Sequence, residues 1–145
     1  MKSEPDVYSI DDLARDGMEC WEGIRNYQAR NMIRDDMRIG DLAFFYHSSC
    51  KVPAVVGIMK IVSEAYPDPT QFDPRSKYYD EKSKEDDPRW FLVDVAFERR
   101  TKREITLREL REHPGLEGFR LTKRGNRLSV FPVSDEHWKL ILALE

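Results

Sequence analysis

The chain has 145 residues and a formal net charge of −3, enough length for one domain with a buried core and too little positive charge for a protein that coats nucleic acid indiscriminately. Hydrophobic residues at 40% and aromatic residues at 11% fit a folded globular protein, and a charged fraction of 35% gives a very polar surface without a disordered composition. No apolar run approaches the about 20 residues that cross a bilayer, Met1-Lys2-Ser3-Glu4-Pro5 carries no apolar leader, and Cys20 and Cys50 show neither zinc spacing nor a disulfide-rich context, so the expected setting is a reducing cytoplasm (the nucleus in a eukaryote), with no membrane, metal or cofactor.

Ser9-x-x-Asp12 predicts a helix start with Ser9 as N-cap, and Gly17 its stop. Asn26 is placed to cap a second helix running to about Asp36, with Ala29, Met32, Ile33 and Met37 on its apolar side and Tyr27, Asn31 and Arg34 opposite. Gly40-Asp41 turns into Leu42–Tyr46, an apolar run short enough for a buried strand. Ala54–Val62 is β-branched and apolar around Gly57, and the two runs read as a hairpin with a long loop. Residues 65–88 form a polar excursion with four prolines; Tyr66, Phe72, Tyr78 and Tyr79 argue against disorder there. Trp90–Phe97 returns to strand. Thr106-x-x-Glu109 is a capping box for a short helix through Arg111. Leu128–Val133 reads as a strand with Pro132 near its end, and Ser134 caps a closing helix whose Trp138, Ile141 and Leu142 face inward. The order lacks a regular βαβ alternation. The expected class is therefore α+β: a small mixed or antiparallel barrel with peripheral helices, in a single domain over 1–145.

Charge is unevenly spread. From Arg99 to Arg127 there are ten Lys and Arg against four Glu. Such a segment permits a local phosphate contact, or it is a solvated face of paired charges. The densest chemistry lies at Trp21-Glu22-Gly23-Ile24-Arg25-Asn26-Tyr27-Gln28-Ala29-Arg30-Asn31. An indole to stack on, amides to read a donor–acceptor edge and guanidinium groups for phosphate suit a flat heterocycle. Each group also has a plainer reading. Trp21 could fill core; Asn26 could be only a cap; Tyr27 and Asn31 could be ordinary surface; Arg25 and Arg30 could make surface ion pairs. Tyr46, His47 and Ser48 end a buried strand, where side chains line pocket mouths, although His47 alone would more often be structural. Trp90 opens a strand and is a core candidate as well as a ligand contact. Cys20 has no base within sequence reach.

The series Lys2-Ser3-Glu4-Pro5, Trp21-x-Gly23-x-Arg25-Asn26-Tyr27-x-Ala29-Arg30-Asn31, Gly40-Asp41, Phe45-Tyr46-His47-Ser48, Tyr66-Pro67-Asp68, Tyr78-Tyr79-Asp80, Pro88-Arg89-Trp90 and Leu128-Ser129-Val130 resembles the EVE domain family of the PUA-like superfamily, along the whole chain and in order. The resemblance implies a PUA-like barrel. It also adds Lys2 and Ser3 to the candidate ligand-binding residues. The family is similar to YTH domains, which hold N6-methyladenine in an aromatic cage. Here Lys2, Ser3, Trp21, Asn26, Ser48 and Gly57 follow that pattern. The cage tryptophan of the later loop has no counterpart, and Phe72, Tyr78 or Tyr79 would stand in. Related EVE domains are associated with modified cytosines.

The expected function is a non-enzymatic module that binds a modified base in DNA or RNA through an aromatic and amide pocket built from Lys2, Ser3, Trp21, Asn26, Tyr27, Arg30, Asn31, Tyr46, His47, Ser48 and Trp90. Contact with few phosphates would make its binding weakly salt-dependent. Two other classes stay open. One is an ASCH-like enzyme acting on RNA or modified nucleosides with Lys2, Tyr46 and His47, although no metal cluster or nucleophile–base pair is readable. The other is a protein-interaction domain using the 65–88 loop.

Overall fold

A computed structural model describes all residues, 1–145. Its centre is a curled five-stranded mixed sheet in the order β1 (Lys2–Ser3), β3 (Leu42–His47), β4 (Ala54–Ile61), β7 (Asp94–Thr106) and β2 (Met18–Cys20). β1 runs parallel to β3; the other pairs are antiparallel. A short ribbon pairs β5 (Tyr66–Pro67) with β6 (Phe91–Leu92). The arrangement is the expected α+β, PUA-like half-barrel.

Alternation along the strands builds two cores. Phe45 faces one cluster with Trp21, Ile33, Met59 and Val95; its neighbours Phe44 and Tyr46 face a second with Ile105, Leu110, Phe119 and Ile141. The pairing register shifts at Phe45/Tyr46, Val55/Gly57 and Ile58/Met59. Such bulges bend a sheet, and here they accompany its curl. At Gly57 the strand admits the first helix: a Cβ there would sit 2.5 Å from Ile10 Cδ1.

The helices begin where their caps predict. Ser9 and Asp12 form a capping box on α1 (Ile10–Asp16), which ends at Gly17 with φ +79°. Asn26 caps α2 (Tyr27–Asn31), which continues through a π-helical turn at Met32–Asp36. Thr106 and Glu109 form the box of α3 (Leu107–Glu112), and Ser134 caps α4 (Asp135–Ala143), with Ile141 fully buried.

Three expectations need correction. The strand expected at Trp90–Phe97 is divided: Phe91–Leu92 pairs with β5, and β7 starts only at Asp94 and runs on to Thr106; its outer half is charged, and Arg99, Arg100 and Arg103 find partners on other segments. Met18–Cys20, assigned to no element from the sequence, is the edge strand β2, bonded to the same long strand. Leu128–Val133 is extended but is no strand; Lys2 N–H to Ser129 C=O at 2.8 Å ties it to β1, and Pro132 lacks the N–H to continue a ladder.

The 65–88 excursion is ordered by polar groups. Gln71 is fully buried and donates to the carbonyls of Asp68 and Trp90. It accepts from Ser83 Oγ at 2.6 Å and Trp90 N–H at 3.1 Å. No buried side-chain nitrogen or oxygen lacks a partner, the condition that makes such a buried polar network rigid.

Candidate functional site

The sheet curls until its two edge strands flank one cavity of about 720 Å³, within the ~300–1,000 Å³ range of small-molecule sites. Lys2 and Ser3 enter from β1, Glu19 and Cys20 from β2, Trp21–Ile24 from the segment after it, Ser48 and Ser49 from the hairpin loop, and Asn126, Arg127 and Ser129 from the segment before α4. Lys77 and Tyr78 come from the long excursion, and Glu4, Val7 and Tyr8 from the turn after β1. Only six of its 18 lining residues are hydrophobic, so a guest there meets donors and acceptors on most sides. A second hollow, of about 530 Å³, lies between β3 and the 119–138 segment; 15 of its 21 lining residues are hydrophobic, and it offers little that could read a polar edge.

Trp21 is 7% exposed and meets Phe45 edge-to-face at 5.5 Å. The ring is therefore both core and cavity wall. Ser48 has a backbone bond to Ser3 C=O at 3.0 Å, and its hydroxyl has no protein partner. Next to it Ser49 holds φ at +51°, a left-handed conformation that costs a non-glycine residue roughly 1 kcal/mol or more and clusters at functional sites. Ser3 Oγ donates to Tyr8 C=O at 2.6 Å, which leaves its lone pairs free to accept. Burial lowers the Lys2 ammonium below its ordinary value. Glu22 is pushed up, first by burial and then by the nearby Asp68 and Glu19 carboxylates. The Tyr66 hydroxyl favours the Cys20 thiolate, but burial and the carboxylates of Asp94 and Glu19 outweigh it and the thiol is raised, an environment that suppresses nucleophilicity.

Of the residues singled out in the sequence, Lys2, Ser3, Trp21 and Ser48 meet at this cavity. The others do not. Asn26 accepts from Ala29 N–H at 3.0 Å as a cap. Tyr27, 51% exposed, stacks on Trp90 with centroids 4.7 Å apart. Arg30 lies 4.9 Å over Tyr27 and donates to Arg89 C=O, while Asn31 accepts from Arg30 Nε. Trp90 is buried and donates Nε1–H to Asp80 at 2.8 Å. Tyr27, Trp90 and Arg30 thus stack on one another outside the cavity lining, with Asn31 bonded to Arg30. Tyr46 lies in the second core and borders the apolar hollow. His47 Nε2 accepts from Ile10 N–H at 3.1 Å at the start of α1; burial lowers its pKa, in keeping with a neutral acceptor. Lys2 and Tyr46 both border the apolar hollow, but His47 lines neither hollow, so the three do not meet around one guest.

Arg25 is a clamp rather than a phosphate contact. Its guanidinium makes five bonds, to Asp68, Thr70, Ile24 C=O and twice to Tyr78 C=O, using the full donor capacity of an arginine. Asp68 is fully buried. Burial alone would raise its carboxyl, but Gly23 N–H, Thr70 and Arg25 hold it below the usual range. The clamp seats Tyr78 against Gly23, whose φ of +89° leaves the Cβ position 2.5 Å from the ring. Asn126, Arg127 and Ser129 were missed from the sequence because about 120 residues separate them from their neighbours Lys2 and Ser3; the Gly125-Asn126 turn was the one local signal.

The EVE domain family profile matches residues 1–144. Thymocyte nuclear protein 1 of Mus musculus is 48% identical over the whole chain and 72% of its own length. A crystal structure of a Pseudomonas syringae protein is 50% identical with a TM-score of 0.95, covering 99% of this chain and 96% of that one. The crystal structure of human THYN1 protein in complex with 5-methylcytosine containing DNA is 45% identical with a TM-score of 0.94, covering 99% and 94%. With the profile spanning nearly every residue and the fold superposing throughout, the chain belongs to the EVE domain family.

Proposed function

We propose that this protein is a nucleic-acid-binding module that takes a modified base, 5-methylcytosine first among the candidates, into the cavity between β1 and β2. The observation that carries this reading is the meeting of Trp21, Ser3, Ser48 and Lys2, from separate chain segments, around one polar hollow. The relative solved with 5-methylcytosine DNA supports it. A base extruded from its strand needs an aromatic or apolar wall and polar groups on its pairing edge. Trp21, Ile24 and Val7 supply apolar surface for the ring and a 5-methyl group. The free Ser48 hydroxyl and Lys2 can donate to a cytosine's ring nitrogen and carbonyl, and Glu19 or Glu22 can accept from its exocyclic amine, a pairing that carboxylates make with cytosine.

The test is binding of the whole protein to short labelled oligonucleotides that differ in one base: cytosine, 5-methylcytosine, adenine or N6-methyladenine, as DNA and as RNA. One modified base should bind tightest, and Ser48→Ala should narrow the gap between it and its unmodified parent. Equal affinity for all of them would end the base-recognition reading.

A further inference from the structure

The basic stretch from Arg99 to Arg127 divides into two chemically different halves. In the first half four of the five arginines are paired, while Arg111 and Lys102 have no ion-pair partner. Arg99 bonds Glu145 at 2.6 Å, Arg100 bonds Asp11 at 2.8 Å, Arg103 bonds Glu109 at 2.6 Å and Arg108 bonds Glu112 at 3.2 Å. In the second half Arg120, Lys123, Arg124 and Arg127 are all exposed, and no carboxylate lies within ion-pair distance of any of them. None of the four side chains donates a hydrogen bond, while the Arg120 and Lys123 carbonyls accept bonds that shape the loop.

The loop is held firmly although its charges are free. Phe119, Leu121 and Val130 are buried at its base. Asn126 Nδ2 donates to Arg120 C=O at 2.9 Å and closes it. Lys2 N–H to Ser129 C=O, 2.8 Å, and Lys2 Nζ to Asn126 C=O, 3.5 Å, fasten it to β1 at the rim of the cavity. Arg127 itself lines that cavity. At the other edge β2 and its continuation present Glu19 and Glu22. The β1 side of the mouth thus carries Lys2 and Arg127 against Glu4, and the β2 side carries Glu19 and Glu22, with Lys77 reaching in from the excursion.

We propose that the Arg120–Arg127 loop is the arm that grips the sugar–phosphate backbone: its four cations take the phosphates flanking the nucleotide whose base enters the cavity, so that the strand passes on the β1 side. This rests on the cavity being the base site. Unpaired guanidinium groups bind phosphate in bidentate fashion, and each phosphate neutralised releases condensed counterions. Glu19 and Glu22 repel the backbone from the opposite rim. Binding therefore depends on salt more strongly than a single captured base would require.

The experiment measures affinity for a single-stranded DNA carrying one 5-methylcytosine, and for its unmodified twin, between ~50 and ~200 mM salt, with the intact protein, the variant R120Q/K123Q/R124Q/R127Q and the paired-arginine control R108Q. At roughly 0.7 log units of affinity per decade of salt per phosphate, four contacts make the loss across that range about 50-fold smaller in the quadruple variant than in the intact protein. Both oligonucleotides weaken by the same factor at low salt, so their ratio is preserved, and R108Q behaves as the intact protein. An unchanged salt slope in the quadruple variant, or no binding of either oligonucleotide by the intact protein, overturns the proposal. A reduced slope together with equal affinity for the two oligonucleotides keeps the backbone arm and removes the base reading. An unchanged slope with the modified base still preferred does the reverse.

Discussion

The guanidinium of Arg25 is held by five acceptor contacts, one of them the buried Asp68 carboxylate, whereas those of Arg120, Arg124 and Arg127 meet no protein acceptor. Both regions border the same cavity, through Gly23 and Tyr78 on one side and Asn126 and Arg127 on the other. The first stabilises the cavity's wall, and the second leaves its donors open to a ligand. Motif density is thus a poor guide to which polar groups bind: the richest stretch of the sequence turns most of its polar groups inward, and a loop with one turn signal leaves all its charges outward.

The largest expected effect breaks the enclosed side. Asp68→Ala strands Arg25 and orphans Gly23 N–H and Thr70. Removing one partner of a buried pair costs about 3–5 kcal/mol, and chemical denaturation should show a loss of that size. A loss within about 0.5 kcal/mol, the usual range for surface changes, would erase the distinction between the two regions. Gly23→Ala comes next. It forces a side chain at φ +89° and 2.5 Å from the Tyr78 ring, a strain of about 1–3 kcal/mol. Adding Tyr78→Ala should recover the part due to the clash and leave the part due to the backbone, a separation readable from a double-mutant cycle.

Acid sharpens the comparison from another side. Glu109 and Glu145, partners of Arg103 and Arg99, are held at about 2 against an ordinary 4.5, chiefly by those guanidinium groups. Their folded values lie below their unfolded ones, so the unfolded chain binds more protons in that window. The stability they contribute is complete above 4.5 and lost as pH falls through about 2. Glu109→Gln should flatten this acid limb in pH-dependent denaturation; an unchanged limb would mean that the Arg103 pair is not coupled to folding.

What the sequence made legible was local. Ser9, Asn26, Thr106 and Ser134 cap the helices they announce because a cap acts within three residues. Phe44 and Phe45 are buried in a strand, as their apolar run requires. What stayed hidden was non-local. The charged end of β7 gives no strand signal because its arginines are neutralised by Asp11, Glu109 and Glu145, two of them distant in sequence. At the site, Trp21 and Ser48 could be picked from their own neighbourhoods and Lys2 and Ser3 from the family pattern. Tyr27 and Arg30, on a polar helix face, and Trp90, at the expected opening of a strand, carry no local signal of direction; their stack on each other lies outside the cavity lining. Nothing local could bring Arg127 to Lys2; one backbone bond to Ser129 does that.

The smallest effect on folding belongs to the open side. Arg120→Gln, Lys123→Gln, Arg124→Gln and Arg127→Gln, made singly, remove exposed charges that have no ion-pair partner. Each should shift stability by no more than about 0.5 kcal/mol, because the loop's shape comes from Phe119, Leu121 and the Asn126 amide. Each should also lower the salt slope of oligonucleotide binding by about 0.7. Arg127, in the cavity lining itself, is the position where the two readouts separate most clearly: stability stays level while affinity falls. If Arg127→Gln instead lowered stability by more than about 1 kcal/mol, about twice the surface norm, its guanidinium would be bracing the fold as Arg25 does, and the contrast between a closed and an open set of cations would fail at the residue nearest the site.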